Sequence, residues 1–72
     1  MATISAQDVQ SRAQTALANS PFYELRELQV DGRDEMLLLS GTVSTFYHKQ
    51  LAQEVVRSVC QGVEVINSIR VR

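Results

Sequence analysis

Apolar residues first recur at helical spacing. Val9, Ala13, Ala16 and Leu17 share one face of a segment running from about Ala6 to Ala18, while Gln7, Arg12, Gln14 and Thr15 lie largely elsewhere. Ser5 is placed to cap this helix, Asp8 suits the positive end of its dipole, and Ile4 and Val9 are spaced as a hydrophobic staple. Asn19-Ser20-Pro21 ends it, because the residue before a proline is driven out of the α region.

From about Glu24 the period changes to two. Leu28 and Val30 point one way and Glu27 and Gln29 the other, which predicts a short strand. Asp31-Gly32-Arg33-Asp34-Glu35 reads as a polar hairpin turn, and the chain returns as a strand from Met36 to Val43. In that strand Leu37, Leu39, Gly41 and Val43 share a face, with Met36, Leu38, Ser40 and Thr42 opposite. Ser44 is placed to cap a second helix whose stripe is Leu51, Ala52, Val55, Val56, Val59 and Cys60, extended back one turn by Tyr47 and His48. Gly62 is placed to end it near C′, and the tail alternates, with Val63, Val65, Asn67, Ile69 and Val71 set against Glu64, Ile66, Ser68, Arg70 and Arg72.

The predicted order is α-β-β-α-β. Two amphipathic helices on one face of a three-stranded sheet make a two-layer α+β sandwich. With 72 residues there is room for a single core, so residues 5–72 form one domain and residues 1–4 a short lead. Seven Lys plus Arg against eight Asp plus Glu give a net charge of −1, which argues against nucleic acid as a partner. Met36-Leu37-Leu38-Leu39 is the longest purely apolar run, far short of the roughly 20 residues that span a bilayer. The first residues carry neither a basic nor an apolar signal region, so cytoplasmic residence is the default expectation.

Candidate chemistry is sparse. The single histidine, His48, and single cysteine, Cys60, lie twelve residues apart on one predicted helix, roughly 18 Å along its axis at ~1.5 Å per residue. They form neither a catalytic dyad nor a zinc site, and no enzyme activity, metal or cofactor is expected. Asp31, Asp34 and Glu35 gather carboxylates without calcium-loop spacing and read as a solvated turn. Gly41 interrupts an apolar strand, which points to close packing of a helix on the sheet or to a ligand approaching the backbone. Asn67 faces the core side and is expected to bond backbone near the second helix.

Two surfaces could bind. Phe46 falls with Gln50, Gln53 and Arg57, off the apolar stripe. It either leans on the preceding strand or, with Tyr47, Lys49 and the free N–H groups of the first helical turn, meets a lipid phosphate or an acidic partner. On the uncovered sheet face Met36, Leu38 and Ile66 would be exposed together, ringed by Arg70, Arg72, Ser40 and Thr42, a patch suited to a protein partner or self-association.

The chain resembles the BON domain, the small module named after bacterial osmotic-stress and nodulation proteins. The resemblance is carried by Ala16-Leu17, Leu28-x-Val30, Leu39-Ser40-Gly41-Thr42-Val43 followed by Ser44, then Lys49, Ala52, Ser58-Val59 and Val65-x-Asn67-x-Ile69-x-Val71. It spans about Ser5 to Arg72 and implies the αββαβ fold. One departure is that the family's Gly-Val after the second helix aligns with Gln61-Gly62, so the glycine comes one residue late and Val63 takes the valine's place. The resemblance implies a non-catalytic binding module of envelope or stress proteins, contacting phospholipid or a membrane surface. Phe46, Tyr47 and Lys49 are the expected contacts. A protein-protein or homo-oligomeric module using Met36, Leu38, Ile66 and Arg70 is the alternative.

Overall fold

The first helix, α1, spans Ala6–Ala18 in the computed structural model, which describes residues 6–33 and 35–72. The predicted Ser5 cap and the Ile4 half of the staple lie outside the described residues. Val9, Ala13 and Leu17 are buried, as their spacing requires, and Leu17 is among the side chains left with under 2% exposure. Burying a leucine of this kind is worth roughly 1.5–3 kcal/mol against the entropy of ordering it.

The next element corrects the sequence reading. Tyr23–Arg26 is a short helix, α2, where a strand was expected from Glu24. Leu25 and Leu28 are both buried three residues apart, a helical spacing that the later Leu28-x-Val30 alternation masks. Strand β1 is Gln29–Arg33 and pairs antiparallel with β2, Met36–Ser40. Arg33 lies opposite Met36, so only two residues join the strands, and Asp31, Gly32 and Arg33 belong to the ladder and not to a five-residue turn. Glycine is tolerated there because β1 is an edge strand. The outer edge is closed by α1: Gln10 Nε2 donates to the Val30 carbonyl at 2.8 Å and Gln14 Nε2 to the Leu28 carbonyl at 3.0 Å. Gln14 Oε1 also accepts the Val30 N–H at 3.2 Å. Edge groups held in this way cannot recruit another strand.

The return strand is broken at Gly41, leaving β3 as Thr42–Val43. Helix α3 spans Phe46–Val59, and the tail forms β4, Glu64–Asn67, and β5, Arg70–Val71. β4 runs parallel to β2 and β5 parallel to β3, with the same sequence offset in both pairs. The Arg70 N–H donates to the Gly41 carbonyl at 2.9 Å, so the ladder continues across the break. The result is an α+β domain with a mixed three-stranded sheet in the order β1-β2-β4, prolonged by the β3-β5 pair. Helices α1 and α3 pack on each other and on the face that carries Val30, Leu37 and Leu39.

Gly41 has φ +130°, and a Cβ built there would lie 2.7 Å from Leu28 Cδ2. The close neighbour is therefore Leu28 from the chain entering β1, not a helix. At the far end of α3, Cys60 is the C-cap and Gly62, with φ +86°, stands one residue beyond C′. Val63 packs against the core, in the place the sequence assigned to it.

Candidate functional site

The site begins where α1 ends. Ser20, buried, accepts the Phe22 N–H on Oγ at 3.1 Å, which turns the chain after Pro21 and sets Phe22 extended, at φ −93° and ψ 115°, just ahead of α2. Leu25 is fully buried and ties that single turn of helix to the core. Phe22 and Tyr23 are left outside, with Tyr23 64% exposed.

Across from it, α3 starts at a cap. Thr45, extended at φ −140° and ψ 155°, accepts the His48 N–H on Oγ1 at 3.1 Å. The sequence reading named Ser44 for this role; Ser44 instead turns to α2. A threonine one residue later has the same capping chemistry, and the position of the first helical turn decides between them. Tyr47 does not extend the apolar stripe as expected. It is exposed, and His48 is half-buried, because the first turn of α3 meets α2 rather than the sheet.

The two helix starts bring three rings together. The Phe22 ring lies 5.1 Å from the His48 ring and 6.4 Å from Tyr47, the latter edge to face at 84°, and Tyr47 and His48 are 5.6 Å apart. Phe46 is the most exposed large apolar side chain described, at 74%, and Lys49 Nζ stands 6.0 Å from its ring centroid. The chain holds two phenylalanines, two tyrosines and no tryptophan, and all of these aromatics are exposed here while none enters the core.

Glu24 sits at the centre of the polar contacts. Its Oε1 accepts the Ser44 N–H at 3.2 Å and the Ser44 hydroxyl at 3.0 Å, and lies 2.8 Å from His48 Nδ1, a separation that requires the proton on that nitrogen. The Ser44 backbone N–H holds the Glu24 carboxyl below its usual range against the opposing effect of desolvation, with further help from the Ser44 hydroxyl and His48. Beside it lies a cavity of about 220 Å³ lined by Pro21, Phe22, Tyr23, Glu24, Ser44 and His48.

Of the residues singled out from sequence, Phe46, Tyr47 and Lys49 lie at this end of α3. Phe22, Tyr23 and Glu24 lie outside the predicted surfaces, because the sequence pattern places them in a loop and at the start of a strand; the helical spacing of Leu25 and Leu28 is the available signal. The second predicted surface is also assembled: Leu38 pairs with Ile66, and Met36 stands beside them in β2. Register places Asp31 beside Leu38, and Arg33 and Glu64 beside Met36, so charges divide the apolar patch. Arg70 is exposed in β5 opposite Thr42.

Cys60 is buried, its Sγ 3.5 Å from the Val9 carbonyl, and burial pushes its thiol up. Asn67 is structural, as expected: Nδ2 donates to the Lys49 carbonyl at 3.0 Å and to Gln53 Oε1 at 3.1 Å, and Oδ1 accepts the Ile69 N–H. Among the described residues no helix is long and apolar enough to cross a membrane, and no group of three or more His, Cys, Asp or Glu is placed to hold a metal ion. In comparison with known families, the model for the BON domain matches residues 5–72. No curated protein matches the chain.

Proposed function

Since the chain belongs to the BON domain family, whose members are binding modules associated with phospholipid, we propose that it docks on a membrane surface through the aromatic end where α2 meets α3. The observation that carries this reading is that every phenylalanine and tyrosine of the chain is exposed at the start of α2 or α3 and none joins the core, with Phe46 74% exposed. Tyrosine suits the boundary between headgroup and acyl chain, because its apolar ring can enter while its hydroxyl stays wet, and a phenylalanine ring can enter the apolar layer outright. Lys49 adds a cation at the same helix end. Transfer of one exposed phenylalanine out of water is worth up to about 1.5–3 kcal/mol. Several such rings make a reversible contact, not an anchor.

Co-sedimentation with lipid vesicles at low salt tests the proposal. The parent protein pellets with vesicles, and Phe46→Ala lowers the bound fraction severalfold while leaving the far-UV circular dichroism unchanged. A parent protein that stays in the supernatant, or a Phe46→Ala variant that binds equally well, overturns it. The alternative surface at Met36, Leu38, Ile66 and Arg70 has less support, because Leu38 and Ile66 are half-buried within the sheet and Asp31, Arg33 and Glu64 stand among them.

A further inference from the structure

We infer that the cleft between α2 and α3 takes the ammonium group of a zwitterionic phospholipid headgroup, with Glu24 as its counter-ion and Phe22, Tyr23 and His48 as its ring walls. This rests on the membrane reading and goes beyond it by naming the headgroup and the atoms that select it.

Three observations converge. First, the three contacts to Glu24 all fall on Oε1, so Oε2 has no partner among the described residues although the side chain is only 15% exposed and lines the cleft. A carboxylate held ionised by donors on one oxygen offers the other to a cation. Second, three of the other lining residues, Phe22, Tyr23 and His48, present aromatic rings to the cleft. An ammonium group is attracted to aromatic faces within about 6 Å, and more strongly where water is partly excluded. The Phe22 and His48 rings pack 5.1 Å apart at 56°, so the two rings meet at an angle along the wall of the cleft. The volume of about 220 Å³ is several times the roughly 30 Å³ share of one liquid water, enough for a headgroup terminus of a few heavy atoms.

Third, the charge distribution opposes the other choice. The protein carries −1 overall, and the cleft contains a carboxylate, so a bare phosphate entering it would be repelled. Lys49, next in sequence to His48, is the cationic side chain of this helix end and suits the phosphate that accompanies the ammonium group in the same headgroup. The exposed ring of Tyr47, in contact with the cleft residues Phe22 and His48, and the exposed Phe46 next to it in sequence favour a lipid as the source of that group over a free amine.

The test uses the whole chain in two arms. In the first, amide and aromatic NMR resonances are followed during titration with tetramethylammonium chloride, phosphoethanolamine and glycerol phosphate. The two ammonium compounds are expected to shift Phe22, Tyr23, Glu24 and His48 saturably and glycerol phosphate is not. Glu24→Gln, which keeps an acceptor for Ser44 but removes the charge, is expected to weaken binding at least tenfold. Phe22→Leu, which keeps apolar bulk without the ring, is expected to weaken it severalfold. Equal response to glycerol phosphate, or unchanged binding by both variants, overturns the inference. In the second arm, vesicles of phosphatidylcholine or phosphatidylethanolamine are compared with vesicles of phosphatidylglycerol. Preference for the ammonium-bearing vesicles, lost in Glu24→Gln, supports the lipid source. Equal binding to all vesicles, unaffected by Glu24→Gln, overturns the headgroup assignment and leaves the membrane reading standing. Binding to none overturns both that reading and the lipid source.

Discussion

Replacing Gly41 by alanine perturbs two things at once, and their sizes follow from the local geometry. The backbone there has φ +130°, outside the left-handed region that other residues occasionally occupy, so a side chain costs about 1–3 kcal/mol in strain. The new Cβ would also lie 2.7 Å from Leu28 Cδ2, and Leu28 is itself buried at 2% exposure, so it must leave a favourable rotamer or push its neighbours, for about another 1–2 kcal/mol. The total, about 2–5 kcal/mol, approaches the whole stability of a domain this small. Gly62 is the internal control: φ is +86° and nothing lies within 4 Å, so Gly62→Ala costs only about 1 kcal/mol. Urea unfolding followed by far-UV circular dichroism measures the difference. With a slope near ~1 kcal/mol/M, Gly41→Ala lowers the midpoint by about 2 M or more and Gly62→Ala by about 1 M or less. A stabilising osmolyte keeps the weaker variant measurable. Shortening Leu28 to alanine in the Gly41→Ala background should cost less than in the parent, with a coupling of about 1 kcal/mol. Equal losses at the two glycines, or no coupling to Leu28, would refute the close-approach account.

Thr45→Ala should destabilise the protein by about 1 kcal/mol in the same assay, more than Ser44→Ala, because only Thr45 accepts an α3 N–H. The ordering reversed would restore Ser44 as the cap. The Glu24 carboxyl is held below its usual 4.5, so its contribution is present above that pH and is lost as pH falls through the lowered folded value. Thermal unfolding measured downward from pH 6 should therefore show a Tm decline below about pH 4.5 that is smaller in Glu24→Gln, and identical curves would count against the Ser44 and His48 contacts. Asn67→Ala removes bonds to Lys49, Gln53 and Ile69 and should cost about 2–3 kcal/mol, read by the urea midpoint. A loss below about 0.5 kcal/mol would mean that water replaces those bonds freely.

Side-chain periodicity alone determined much of this fold. A residue four positions along a helix, or two along a strand, returns to the same face whatever surrounds it, so Ala13, Leu17, Leu37, Leu39, Ala52, Val56 and Ile69 could be assigned to the core before any contact was known, and all are buried. The same rule put Phe46 off the apolar stripe but left open whether it leans on the preceding strand, and the folded structure leaves it exposed. Tertiary structure decided what periodicity cannot express. A four-residue turn of helix such as α2 is too short to show a period, and it forms because Leu25 finds the core and Ser20 turns the chain. The choice of Thr45 over Ser44, the role of Leu28 at Gly41, and the meeting of Phe22, Glu24 and Ser44 with His48 all join residues that local pattern treats separately. Contacts of that kind are set by how two chain segments pack, and only the folded molecule brings them within reach of each other.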